Sequence, residues 1–203
     1  ASDVYKRQGI QEPISITFTN IRTKEQLISR VCSKLEADSI QLKELLYNNS
    51  YLQEKFGLNN KTILVLFLPN TYHFSWNTSA EQFLSRMEFE YKKFWNQDRL
   101  QKAQAINLNP AQVSILASIV QAEQMRFASE RPIIAGLYLN RLRIGMPLQS
   151  DPTIIYALGN FKINRVLDKD KQVESLYNTY LHIGLPPGPI NAPEISSIDA
   201  VLN

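Results

Sequence analysis

Apolar residues recur along this chain with two different periods. From Ile14 to Thr19 the order is Ile-Ser-Ile-Thr-Phe-Thr, the alternation of a half-buried strand. Leu27, Ile28, Val31 and Leu35 then repeat at helical spacing behind Thr23-Lys24-Glu25-Gln26, a capping-box pattern. Asp38 is placed to cap a second helix carrying Leu42, Leu45 and Leu46. Asn48-Asn49 and Gly57 to Asn60 read as loops. Thr62 to Leu68 is apolar almost throughout and reads as a strand buried on both faces. The expected unit is β-α-α-β, a small α+β subdomain over residues 12–76.

Helical spacing dominates the chain after Trp76. Thr78 or Ser79 caps a long helix whose core face is Phe83, Leu84, Met87, Tyr91, Phe94 and Trp95, with Lys92, Lys93, Arg99 and Lys102 on the far side. Three linked helical pieces come next. Asn109 caps the first, with Pro110 at the first helical position, where a missing N–H costs nothing. Gln124 to Ser129 is a break. The second piece starts at Ser129-Glu130-Arg131-Pro132 and carries Ile133, Ile134, Leu137, Tyr138 and Leu142, with Ala135 and Gly136 small enough for a close neighbour. Gly145 ends it. Asp151 caps the third, Pro152 to Leu158. Phe161 to Gln172 looks like a surface excursion. Gly184-Leu185-Pro186-Pro187-Gly188-Pro189-Ile190 is a stiff loop of the kind that rims a pocket. Ser196 to Ala200 begins a last helix.

Composition narrows the function classes. Among 203 residues, 44% are hydrophobic and 20% charged, the balance of a chain with a substantial core. A net charge of +3, without a long Lys/Arg run, gives no case for nucleic acid. The longest apolar run, Ile63 to Pro69, falls far short of the ~20 residues of a spanning helix, and no signal peptide opens the chain. Residues 1–11 are expected to be unstructured or foreign to the protein. The single cysteine, Cys32, reads as a small buried hydrophobe. With two histidines and no CxxC or HExxH, a metal site has no support, and seven glycines form no phosphate-binding loop. No metal or cofactor is expected.

One acid breaks the pattern. Leu116, Ile119, Val120 and Glu123 fall at i, i+3, i+4 and i+7, so Glu123 closes an apolar stripe. A carboxylate against apolar walls has a raised pKa, which is how a general acid is made at neutral pH. The alternative is a helix-end Glu that reaches water or pairs with Arg126.

The blocks Phe67-Leu68-Pro69-Asn70-Thr71-Tyr72, Leu116 to Leu158, Tyr177-Asn178-Thr179-Tyr180 and Gly184 to Ile190 resemble, in order, the YceG-like endolytic peptidoglycan transglycosylases (MltG family). The resemblance implies an α+β fold in which a mainly helical catalytic domain with short strands occupies residues 77–203, cut short at its C-terminal end. It implies cleavage between N-acetylmuramic acid and N-acetylglucosamine in nascent glycan strands, leaving 1,6-anhydro ends. The implied partners are glycan strands, peptidoglycan synthases and the cytoplasmic membrane. The family is anchored there by one N-terminal helix, absent from this chain, with the catalytic part on the periplasmic or outer side. The family block usually reads Ile-Val-Glu-x-Glu. Here Gln121 replaces the first acid, leaving Glu123 as the catalytic position. Gln149, Ser150, Asp151, Tyr177, Asn178, Thr179 and Tyr180 are the side chains expected along a sugar-binding cleft. Arg141 fits a supporting role better than direct contact with Glu123. Two rivals stay open: a hydrolytic muramidase pairing Glu123 with Asp151, and a non-catalytic peptidoglycan-binding or scaffold domain.

Overall fold

The computed structural model describes residues 12–203, and the expectation for residues 1–11 lies outside them. Strand β1 (Ile14–Thr17) pairs antiparallel with β2 (Thr71–Phe74), Ile14 opposite Phe74 and Thr17 opposite Thr71. Ile16, Tyr72 and Phe74 point into the core, while Ser15–His73 and Thr17–Thr71 make hydrogen bonds across the outer face. Helices α1 (Lys24–Cys32), α2 (Ser39–Tyr47) and α3 (Asn49–Phe56) lie between the strands. Thr23 and Asp38 cap α1 and α2 as their sequence predicts. Cys32 is half-buried against the core.

Three elements differ from the sequence reading. Thr62 to Leu68 is not a strand. Ile63–Leu66 is a 3-10 turn with all four side chains buried, and pairing falls to Thr71–Phe74, where apolar and polar residues alternate. An unbroken apolar run fits any buried backbone, whereas alternation fits one that is half-buried. Asn48-Asn49 is not a loop: the Asn48 side chain accepts from Tyr51 N–H at 3.1 Å and opens α3, which ends at Gly57 in the left-handed region, φ 65°. The long helix is two. α4 (Ala80–Phe94) stops at Trp95, and Asn96 caps α5 (Gln97–Ala105) by accepting from Arg99 N–H at 3.0 Å.

Two cores result. The first holds Phe18, Phe67 and Phe83, the last two stacked at 5.8 Å between ring centres. The second surrounds α6 (Pro110–Glu123), in which every residue from Val113 to Gln121 is buried. A helix covered on all sides is the centre of its unit. It packs against α7 (Arg131–Arg143), α8 (Asp151–Leu158) and α9 (Ile195–Leu202). The described residues of 77–203 are helices and loops. α4 joins the two cores: Phe83, Leu84 and Met87 sit in the first, while Tyr91 reaches both.

Two backbone contacts dock the small unit onto the helices. Ala192 N–H donates to the Ile21 carbonyl at 2.7 Å. Gly188 passes so close to the Lys61 carbonyl that a Cβ there would lie 2.0 Å from the oxygen. No helix among the described residues is long and apolar enough to cross a membrane.

Candidate active site

The geometry of α6 sets the site. At its start, Asn109 and Gln112 bond each other's backbone N–H, both at 2.9 Å. Midway, Ser118 Oγ accepts from Ile190 N–H at 3.0 Å and the Ser118 carbonyl accepts from Asn191 Nδ2 at 2.9 Å, pinning the Gly/Pro loop along the helix. At its end, Gln121 Oε1 accepts from Glu194 N–H at 2.6 Å and from Ser197 Oγ at 3.3 Å. Gln121 therefore faces α9 and is spent on packing it. Arg131, 2% exposed, ties the same region together: its Nε donates to the Gln124 carbonyl at 3.0 Å, and Nη1 donates to Glu194 at 2.7 Å and to Ser196 at 2.9 Å.

Glu123 is the last residue of α6, and it is exposed. Leu116, Ile119 and Val120 are fully buried, as the stripe predicts, but the helix ends as Glu123 leaves the core. The expected apolar walls are therefore replaced by two hydroxyls. Tyr138 OH donates to Glu123 Oε1 at 2.8 Å, and Ser150 Oγ donates to the same oxygen at 2.6 Å. Among the described residues, Oε2 has no hydrogen-bond partner. One carboxylate oxygen is fixed by two hydroxyls, and the other is unpartnered among the described residues of an exposed side chain.

Both donors are held. Burial, and next the Glu123 charge, keep the Tyr138 phenol well above its ordinary pKa, so it stays a donor. Ser150, fully buried, gives its N–H to Thr179 Oγ1 at 2.9 Å, and its carbonyl accepts from Thr153 Oγ1 at 2.7 Å. The Thr153 hydroxyl is committed to that carbonyl, so the 2.9 Å contact between Thr179 and Thr153 is donated by Thr179. Arg141 donates to the Leu148 carbonyl, steadying the segment that leads into Ser150.

The seven residues expected along the cleft divide by role. Ser150 alone among them bonds Glu123. Gln149 is exposed, with φ 54° and its N–H on the Thr179 carbonyl at 2.9 Å, which leaves its side chain free to meet a ligand. Asp151 does not cap α8: it is the first helical residue, and its Oδ1 accepts from Tyr180 OH at 2.6 Å. Tyr180 is pushed up to about 12, by burial first and then by that bond. Thr179 is spent on Ser150. Asn178 is fully buried, and its Nδ2 closes the preceding loop on the Lys171 and Val173 carbonyls at 2.9 and 2.8 Å, so it frames the site without facing a sugar. Tyr177 packs on Tyr156 with ring centres 4.7 Å apart.

Tyr138 is the functional residue that the apolar pattern conceals. The spacing groups it with Ile133 and Leu137 on one face, yet those two are 76% and 51% exposed. The helix is turned so that Arg131, Ala135 and Tyr138, at i, i+4 and i+7, face inward. The available signal is the one phenol in that apolar set, which needs a partner when buried. Among the described residues no three His, Cys, Asp or Glu side chains are grouped as a metal site would need. A cavity of about 650 Å³ opens beside the end of α6, lined by Gln121, Ala122 and Met125 but not by Glu123.

The model of the YceG-like family matches residues 3–203. An endolytic murein transglycosylase of Bacillus subtilis (strain 168) is 34% identical over 179 residues, covering 86% of this chain and 48% of that protein. An endolytic murein transglycosylase of Streptococcus pneumoniae serotype 2 (strain D39) is 32% identical over 143 residues, covering 66% of this chain and 25% of the relative. The crystal structure of a yceG-like protein from Listeria monocytogenes is similar with a TM-score of 0.78 and 26% identity, over 99% of this chain and 70% of that one. The chain thus spans about half or less of the length of these curated relatives.

Proposed function

The chain belongs to the YceG-like family, and we propose that it carries the catalytic site of an endolytic peptidoglycan transglycosylase, with Glu123 as its single acid and base. Two relatives bear the name endolytic murein transglycosylase, which supports the substrate class. The observation that carries the mechanism is the unequal treatment of the two Glu123 oxygens, one fixed by Tyr138 and Ser150 and the other without a partner among the described residues.

In this reading Oε2 bears the proton. It protonates the oxygen linking muramic C1 to the next sugar, and the C1–O electron pair leaves with that sugar. The muramic C6 hydroxyl oxygen then bonds C1, and its proton goes to the Glu123 carboxylate. The acid is regenerated, no water is consumed, and the product is a 1,6-anhydro end. One carboxyl group suffices because no water has to be activated, whereas hydrolytic glycosidases use two. Tyr138 and Ser150 hold the carboxyl group in one rotamer through both steps and stabilise it when charged. Peptidoglycan lies outside the cytoplasmic membrane, so the domain would work on that side.

Product mass from purified glycan strands tests this. Anhydro ends, lighter than reducing ends by one water, are expected with the wild-type chain and should form far more slowly with Glu123→Gln. Reducing ends only would replace the proposal with the muramidase reading.

A further inference from the structure

The cavity beside α6 is built from both units. Asn20, Arg22 and Gln26 come from the small unit, Gln121 and Met125 from the end of α6, and Tyr156 from α8. Arg22 is placed there by its neighbours: Ile21 is buried and its carbonyl accepts from Ala192 N–H, while Arg22 N–H donates to Gln26 Oε1 at 2.8 Å. The Arg22 guanidinium lies over the Phe161 ring, 5.0 Å from its centre, and has no carboxylate partner among the described residues.

Charge and polar satisfaction then describe the ligand. The charged residues of the wall are Arg22, Arg131 and Glu194, and the last two are paired at 2.7 Å. Among the described residues, Arg22 is left as an uncompensated cation. Gln121, neutral, adds no negative charge. Asn191 also lines the wall. It is 8% exposed, its Nδ2 is committed to the Ser118 carbonyl, and its buried Oδ1 has no partner among the described residues. That oxygen is closed off from solvent, so Asn191 shapes the wall and leaves recognition of a ligand to Arg22. Met125, Tyr156 and Phe161 supply apolar surface. A carboxylate and some aliphatic length together describe a short acidic peptide.

We propose that this cavity binds the acidic peptide carried by the muramic acid of the strand, with Arg22 on a peptide carboxylate. The inference rests on the peptidoglycan reading above, which puts a muramic residue at Glu123. An extended peptide spans at most about 3.3–3.6 Å per residue, so a peptide of three to five residues extends roughly 10–18 Å from the muramic acid. Glu123 and the cavity lie on different sides of the last turn of α6, and the peptide would pass round the end of that helix.

The test is calorimetric titration of the full chain with two probes, the N-acetylated tripeptide L-alanyl-γ-D-glutamyl-L-lysine, whose two carboxylates outweigh its one ammonium group, and the same peptide with its carboxylates amidated. Wild type is expected to bind the acidic form about ten-fold tighter, the worth of one charge-assisted hydrogen bond at a part-exposed site. Arg22→Gln is expected to lose that preference, and Arg22→Lys to keep part of it. Gln121→Glu, which keeps an acceptor for Glu194 and Ser197 but adds a negative charge, is expected to weaken the acidic form alone. No binding by wild type, or an undiminished preference in Arg22→Gln, overturns the proposal. Neither result touches strand cleavage, which is read separately by product mass: cleavage without peptide binding sinks only this inference, and peptide binding without cleavage sinks the catalytic reading.

Discussion

Ser150 Oγ lies 2.6 Å from Glu123 Oε1, across a gap of 27 residues, and is the shorter of the two hydroxyl contacts to that carboxyl group. Ser150 is also the residue before α8, where a serine ordinarily caps the helix. Here its hydroxyl makes no cap bond and is given to Glu123.

Ser150→Ala removes that donor and Tyr138→Phe removes the other. Each is expected to lower kcat on glycan strands about ten-fold or more, with KM little changed, because the hydroxyls orient the acid without binding sugar. The double variant should lose less than the product of the two, since both act on one oxygen. Steady-state kinetics on strands of defined length checks this. Unchanged kcat in both single variants would remove the two hydroxyls from the mechanism.

Arg131 joins the end of α6 to the start of α9, through the Gln124 carbonyl, Glu194 and Ser196. Arg131→Met leaves Glu194 half-exposed and so partly solvated, which tempers the loss. The expected cost is about 2 kcal/mol, the range for lost hydrogen bonds to a charged group, read as a lower urea midpoint at constant m.

How much of this is legible in the sequence depends on the residue. The α6 cap, its apolar stripe and the position of Glu123 follow from spacing, because each is a local property of one helix. The environment of Glu123 does not, since it depends on where the helix ends and on which hydroxyls two other segments bring. Tyr138 and Arg131 are hidden by apolar neighbours: Ile133 and Leu137 suggest one helix face, whereas Ala135 lets another face approach. Asn178 and Thr179 look like ligands for a sugar in sequence, and the structure spends both on the loop that holds Ser150. The turn at Ile63–Leu66 is ambiguous because four consecutive apolar residues carry no period.

Gly188→Ala puts a methyl group where the Lys61 carbonyl oxygen already stands, 2.0 Å from the new Cβ. Backbone cannot yield as a flexible side chain would, so the variant is expected to lose about 1–3 kcal/mol. The Gly/Pro loop is pinned to α6 through Ile190 and Asn191, so activity should fall with stability. Thermal unfolding beside strand cleavage measures both.

Stability should fall above pH 10. Tyr72, raised to about 12 by burial, and Tyr180, also raised to about 12, stay protonated in the folded chain where the unfolded chain has begun to lose those protons. Tyr91, Tyr138 and Tyr177 are shifted the same way, by burial first. Between the unfolded and folded values the unfolded state binds fewer protons, so the free energy of unfolding decreases as pH rises. The stabilising contribution is complete below pH 10 and is lost as pH climbs through the folded values. Urea midpoints from pH 8 to 12 read the trend; a flat profile would contradict it.

Glu123, with one oxygen held and the other without a partner among the described residues, is assigned both proton transfers: to the leaving sugar and from the muramic C6 hydroxyl. Mass spectrometry of strand ends produced by wild type and by Glu123→Gln tests that assignment most directly. Anhydro ends are expected from wild type, with a rate lower by about 10²–10⁴ or more in the variant at unchanged thermal stability. Anhydro ends formed by the variant at the wild-type rate, or reducing ends formed by wild type, would contradict it.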